Sequence, residues 1–257
     1  MNAVRVGAIA SNVFREILRE RVIYLTGLYA VGFVLAVTFL NEVAAGTEAK
    51  ISLDVGVAGM GLIGLTVAAF VGGGLIHKEV EKRTALVLIS KPLSKAEFVI
   101  GKHLGISAVL VTLLGIMTVI YLGVLAWRGI VAPFNSLVAA ILFMALELSL
   151  MAAVALLFGV FSSALISTIL TISVYVMGHF SGNLVALSES VETGSLKIFI
   201  KVLYLIFPDL SRLDLKNQAV YGLLPDPPTL LFNFGYGIIY IGLLLAIASL
   251  LFSKKEF

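Results

Sequence analysis

Residues 134–160 read FNSLVAAILFMALELSLMAAVALLFGV, and Glu147 is the single charged residue among them. About 20 apolar residues in an α-helix cross the hydrocarbon core of a bilayer, so this stretch predicts a transmembrane helix. The whole chain has the same character, with 60% hydrophobic residues, 13% charged residues and a mean hydropathy of +1.09. A soluble fold of this size has too little interior to bury so much apolar surface, which leaves an integral membrane protein.

Five further stretches are long and apolar enough to cross a membrane. The six predicted spans are 22–41, 55–76, 103–126, 134–160, 163–187 and 229–252. The charged residues 1–21 form a longer leader than a signal peptide has, so we expect the first span to be retained. The sequence therefore predicts an all-α integral membrane protein, with residues 1–257 forming one transmembrane domain.

The distribution of Lys and Arg predicts the orientation. Twelve of the 18 lie in the N-terminal arm, in the loop 77–103 and at the C-terminus, which an even number of spans puts on one side. The richer side is the cytoplasmic one. We expect a multi-pass protein of the cell membrane, the inner membrane of a prokaryote, with both termini in the cytoplasm.

Two further segments are predicted to lie along the membrane rather than across it. In residues 4–18 apolar and charged side chains fall on opposite helical faces, which is typical of an amphipathic helix at a membrane surface. Residues 196–207, LKIFIKVLYLIF, are too short to span and lie in the outer loop 188–228. They predict an interfacial or re-entrant helix on the outer side.

Motifs of catalysis and of cofactor binding are missing from the sequence. There is no Cys, no H-E-x-x-H zinc motif, no G-x-S-x-G elbow and no G-x-x-x-x-G-K-[ST] phosphate loop. We therefore expect no catalytic residue, no metal site and no cofactor in this chain. The net charge of +3 is concentrated in a few places and does not indicate nucleic-acid binding. If the protein uses ATP, another chain must bind it.

The loop 77–103, HKEVEKRTALVLISKPLSKAEFVIGKH, is more than a charged connector. Residues 78–90 can form a helix that Pro92 ends, and Ser94 with Glu97 three residues later is the pattern of a capping box. This predicts a helix, a turn and a second helix that runs into the third span. Apolar and charged groups would face the cytosol, either as a partner site or as a loop anchored on lipid headgroups.

This loop resembles the one between the second and third spans of ABC-2-type transporter permeases. The resemblance rests on Glu79, Glu81, Thr84, Leu88, Ser90, Lys91, Pro92, Leu93, Ser94, Lys95, Glu97, Phe98, Gly101 and Lys102. Many members have Gly before the Thr, where this chain has Arg83. The amphipathic N-terminal segment 1–21 is similar to the family's elbow helix, and FPDLSRLDL at 207–215 is similar to a stretch before the last span of some members.

The resemblance implies a permease subunit that couples to a separate ABC ATPase subunit, which binds ATP and Mg²⁺. The loop 77–103 would then be the coupling element. Its docking residues would be Glu79, Glu81, Lys82, Arg83, Thr84 and Leu88. A second permease chain, most simply another copy in a homodimer, and export rather than import are also implied. The substrate is not indicated.

Polar residues inside the spans are candidates for the translocation path. Glu147 could bond to a neighbouring helix or face the substrate. Ser167 and Thr171 belong to a row of small and hydroxyl residues that serves either close helix packing or a polar path. Three other functions remain open: an ion-coupled secondary transporter or channel that uses Glu147, a membrane enzyme, and a non-transporting assembly factor.

Overall fold

The computed structural model describes residues 2–20, 22–43, 46–81, 94–190 and 207–254. The regular elements in these ranges are all helical, with no strand among them. The helices are α1 Ala3–Arg19, α2 Tyr24–Val43, α3 Glu48–Glu81, α4 Lys95–Trp127, α5 Phe134–Phe161, α6 Ala164–Ser190, α7 Lys216–Val220 and α8 Pro227–Lys254, with a 3₁₀ turn Leu210–Arg212 before α7. The predicted all-α membrane architecture is confirmed.

The number of spans agrees with the prediction. Within the described ranges five helices, α3 to α6 and α8, are each long and apolar enough to cross a bilayer, and α1 with α2 makes a sixth if counted as one bent span. The second span differs most, because α3 begins at Glu48 rather than near residue 55. Its first turns carry Lys50 and Asp54, which a helix longer than the hydrocarbon core can hold at the headgroup level.

Both chain termini lie at the same end of the bundle, which we call the termini end. The backbone N–H of Asn2 donates to Glu97 Oε1 at 2.6 Å, so α1 begins beside the start of α4. Lys95 Nζ donates to the carbonyl of Ser253 at 3.0 Å, and the rings of Phe98 and Phe252 stack at 5.5 Å, so α8 ends there too. The opposite end, where α3 and α5 begin, we call the loop end. The loop 77–103 is not at this end but connects α3 and α4 at the termini end.

Glycines allow α3 to pack closely against α5 and α6. A Cβ built on Gly159 of α5 would lie 2.8 Å from the carbonyl oxygen of Gly73. A Cβ built on Gly72 would lie 2.8 Å from the Cβ of Ala155. Small residues at such positions let backbones approach, which is the main source of van der Waals contact between helices in lipid.

The amphipathic helix α1 rests on α4. Its apolar residues Val6, Val13 and Ile17 are buried, which confirms the predicted apolar face. That face contacts protein, because a Cβ built on Gly105 of α4 would lie 2.6 Å from Val13 Cβ and 2.9 Å from the carbonyl oxygen of Ala10. The helix is thus part of the bundle and not only a surface anchor.

Replacing Gly105 with Leu is expected to lift α1 from α4, at a cost of about 1–3 kcal/mol for the overpacked contact. Hydrogen exchange of residues 3–19, measured by mass spectrometry in nanodiscs, should become faster. Gly115→Leu is the matched control, since it changes the same helix at a position where a Cβ would have no neighbour within 4 Å. Equal exchange in the two variants would contradict the contact.

Residues 207–221 lie inside the bundle and return to the loop end, and we call them the re-entrant segment. The carbonyl of Pro208 lies against Gly178, well inside α6, and Leu213 lies against Gly237 of α8. Leu210, Leu213, Leu215 and Ala219 are buried. The chain returns to the loop end at Tyr221, whose ring lies 5.3 Å from Lys50 Nζ near the start of α3.

Backbone that is not helical is tolerated at membrane depth only where protein or a water-filled cavity surrounds it. The re-entrant segment meets this condition through the contacts with α6 and α8. The predicted outer helix 196–207 lies outside the described residues except for Phe207. The predicted helix over 78–90 likewise lies outside them beyond Glu81.

Candidate functional site

Glu147 lies near the middle of α5 and is 1% exposed. Lys216 Nζ of the re-entrant segment is 3.8 Å from its Oε2, and His179 Nε2 of α6 is 3.3 Å from its Oε1. Lys216 Nζ is also 3.5 Å from Asp214 Oδ1. Together with Tyr175 these residues form what we call the Glu147 cluster.

Three elements hold the cluster together. Tyr175 and His179 are one helical turn apart on the same face of α6, with ring centroids 4.3 Å apart. Asp214 and Lys216 are fixed to each other at the start of α7, because Asp214 Oδ1 accepts from the Lys216 backbone N–H at 3.1 Å. Lys216 Nζ donates to Tyr175 Oη at 3.4 Å, which ties the re-entrant segment to α6.

A glycine on α3 makes room for the lysine. A Cβ built on Gly61 would lie 3.3 Å from Lys216 Cε. The lysine side chain is 18% exposed and the glutamate side chain 1% exposed, so both charges are largely removed from solvent. A charge in such a place is stable only with a partner of opposite sign, and Lys216 is the cationic partner of both Glu147 and Asp214.

The orientation of His179 is fixed by its backbone. Its Nδ1 lies 3.0 Å from the carbonyl oxygen of Tyr175, and a carbonyl only accepts, so Nδ1 carries a proton. Nε2 lies near two carboxylates, 3.3 Å from Glu147 Oε1 and 3.4 Å from Asp214 Oδ2. Neither Nε2 nor Glu147 Oε1 makes a well-directed hydrogen bond.

A second polar network anchors the start of the re-entrant segment. Asp209 Oδ1 accepts from Ser181 Oγ of α6 and from Ser211 Oγ, both at 2.6 Å. Its Oδ2 accepts from Arg212 Nε at 3.0 Å, and its backbone N–H donates to Tyr236 Oη of α8 at 2.7 Å. The carboxylate therefore joins two spans to the segment that passes between them.

The other two translocation candidates are buried inside this chain. Ser167 and Thr171 are both fully buried on α6. Ser167 Oγ donates to the carbonyl of Ala155 at 2.8 Å, and Thr171 Oγ1 donates to the carbonyl of Ser167 at 2.7 Å. Ser167 also packs on Gly73 of α3. Both hydroxyls thus bond to backbone carbonyls within the bundle, and no contact among the described residues joins them to the Glu147 cluster.

The described residues include only two of the six predicted docking residues. Glu79 and Glu81 belong to the last turns of α3, and Lys82, Arg83, Thr84 and Leu88 lie outside the described residues. The predicted capping box at the far side of the loop is present: Ser94 Oγ accepts from the Glu97 backbone N–H at 3.1 Å, and Glu97 Oε2 accepts from the Ser94 backbone N–H at 3.2 Å.

The partners of Glu147 were not predicted from the sequence. A lone histidine near a helix end, such as His179, is most often a packing or interfacial residue, and Asp214 and Lys216 lie in the predicted outer loop 188–228. The signal that points to them is the stretch 207–215 itself, where charged residues alternate with leucines that a water-exposed loop does not need. Within the described ranges no group of three or more His, Asp or Glu side chains is arranged to hold a metal ion.

The comparison with known families agrees with these features. A family model described as ABC-2 family transporter protein matches residues 8–257, which is nearly the whole chain. No curated protein matches it. The match includes most of the amphipathic helix, all the spans and the re-entrant segment, so the chain belongs to the ABC-2 transporter family of membrane proteins.

Proposed function

We propose that this chain is the permease subunit of an ATP-driven exporter and that each permease docks on a separate ATPase subunit through the loop 77–103. Two copies would form the membrane unit as a homodimer. ATP and Mg²⁺ would bind to the ATPase, and this chain would have no catalytic role. The observation that carries the proposal is the family match over residues 8–257.

Two features of the chain support the ATPase partner. The sequence has no phosphate-binding loop, so the energy of ATP must enter through another protein. The loop leaves α3 after Glu81 and enters α4 at Ser94, at the termini end of the bundle. Among the described residues, that end carries most of the Lys and Arg residues, which supports a cytoplasmic orientation.

The docking residues can be tested by charge reversal. A double variant, Glu81→Lys with Arg83→Glu, keeps the net charge and reverses the pattern that an ATPase groove would recognise. We expect a tagged wild-type chain, extracted from native membranes in mild detergent, to co-purify with a stoichiometric ATPase. The double variant should insert normally and lose most of that ATPase, since like charges would face each other at the interface.

The matched control is Glu48→Lys with Arg128→Glu, an equivalent reversal at the loop end. It should retain the ATPase. Unchanged co-purification of the loop variant would contradict the docking role. A wild-type chain that purifies without any ATPase would instead favour an ion-coupled secondary transporter that uses Glu147, the charge that α5 holds at its centre.

A further inference from the structure

The Glu147 cluster contains one more negative charge than positive charge when His179 is neutral. Glu147 and Asp214 are the two carboxylates, and in the described part of the chain Lys216 is the ammonium near both of them. We infer that the cluster is a binding site for a single proton, and that this proton holds the re-entrant segment in the bundle.

The geometry of His179 requires the extra proton. Nδ1 donates to the Tyr175 carbonyl, so a neutral ring has a lone pair on Nε2. That lone pair would face Glu147 Oε1 at 3.3 Å and Asp214 Oδ2 at 3.4 Å. Three acceptors would then repel one another in a buried place. One proton, on Nε2 or on the Glu147 carboxyl, turns the repulsion into an attraction.

Among the described residues, the elements around the imidazole add no other charge that would remove this need. On its own helix α6 the neighbour is Tyr175, whose hydroxyl accepts from Lys216. The imidazole faces Glu147 of α5 and Asp214 of the re-entrant segment, and Lys216 lies next to both carboxylates. On the other side of Lys216, α3 contributes Gly61, which has no side chain. Before Lys254 the sequence of α8 contains no charged residue.

A proton fits the cluster better than a metal ion does. Lys216 already supplies one positive charge to the two carboxylates, so a single further charge makes the cluster neutral. A divalent ion would leave it with one excess positive charge at a buried position, which is costly. The ammonium 3.5 Å from Asp214 Oδ1 and 3.8 Å from Glu147 Oε2 would also repel such an ion.

Loss of the proton acts on the re-entrant segment because the cluster joins it to α5 and α6. Without the proton, the cluster has a net negative charge, and Asp214 on the segment is directed at a lone pair on α6. The favourable way to relieve this is for the segment to move toward the loop end, where water reaches the carboxylate. The segment should therefore be firmly docked at low pH and loosened at high pH.

The natural absence of cysteine allows a direct test. Ala219 on α7 is fully buried, and Ala219→Cys is a small change that reports docking of the segment. In lipid nanodiscs, its rate of labelling by a water-soluble thiol reagent is measured from about pH 5 to about pH 9, the range in which histidine clusters titrate. Val131→Cys, at a position 92% exposed, corrects for the ionisation of the thiol itself.

We expect the corrected rate at Ala219→Cys to rise about tenfold across one transition as the pH increases, equivalent to about 1.4 kcal/mol of lost docking. Glu147→Gln should abolish the transition and keep labelling slow, because the amide N–H can donate to Nε2 at every pH. Asp214→Asn removes the same charge from the other side of the ring and repeats the test if the first variant does not fold.

The inference would be overturned by a corrected rate that is the same at all pH values, or by a transition that survives in both variants. A metal site is distinguished in the same assay. Neither EDTA nor added Zn²⁺ should change the labelling rate at fixed pH. Slower labelling with Zn²⁺ that EDTA reverses would indicate that a metal ion, and not a proton, holds the segment.

Discussion

Lys216→Met should lower the free energy of unfolding by about 3 kcal/mol, because it leaves Glu147 and Asp214 buried together without their shared cation. The methionine keeps most of the volume of the lysine stem beside Gly61, so the loss reports charge rather than packing. The measurement is a denaturant titration in mixed micelles, followed by the fluorescence of Trp127, the only tryptophan of the chain. Lys50→Met, which removes an exposed lysine at the loop end, should cost far less.

A double variant separates the charge effect from any other. Lys216→Met combined with Glu147→Gln leaves Asp214 facing a histidine that can carry a proton, and this combination should recover more than half of the lost stability. If the two changes are simply additive, the lysine and the glutamate do not interact, and the ion pair at 3.8 Å contributes nothing.

Gly159→Val should destabilise the bundle by about 2–3 kcal/mol, because a side chain at this position meets the backbone of α3 rather than a side chain that can turn away. The carbonyl oxygen of Gly73 would lie 2.8 Å from the new Cβ, and relief requires α3 and α5 to separate. The same titration in mixed micelles measures the loss. We expect a loss of cooperativity as well, since α3 also packs on α6.

The matched control for this prediction is Gly242→Val on α8, where a Cβ would have no neighbour within 4 Å. Both variants introduce the same β-branched residue into a transmembrane helix, so the difference between them measures the closeness of α3 and α5. A difference near zero would mean that α3 and α5 are farther apart at Gly73 and Gly159 than the contacts indicate.

Apolar periodicity and capping chemistry predicted the parts of this fold that depend on local sequence. A helix of the length of α5 follows directly from its composition, and the turn at Ser94 follows from one hydroxyl and one carboxylate at the right spacing. The amphipathic α1 follows from its two faces. In each of these cases the local sequence and its contact with lipid or water determine which structure forms.

The re-entrant segment could not be predicted in this way, because its stability depends on partners far away in sequence. Asp209, Arg212, Asp214 and Lys216 would each indicate a water-exposed loop if taken one at a time. Asp209 is buried and Asp214 and Lys216 are half-buried, because Ser181, Tyr236, His179 and Glu147 on three different spans supply their hydrogen bonds and charge partners, while Arg212 stays exposed beside Asp209. The burial of Glu147 was predictable from the apolar stretch around it, while its partners, which lie far away in sequence, were not.

The junction of α1, α4 and α8 at Glu97 has a mechanical consequence. Glu97 receives the backbone N–H of Asn2 while it caps α4, and the neighbouring Lys95 and Phe98 bind the end of α8. These three helices therefore form one stiff block whose edge is Ser94, the first described residue after the loop. A displacement of Ser94 is therefore expected to move the ends of all three helices together rather than to bend α4 alone.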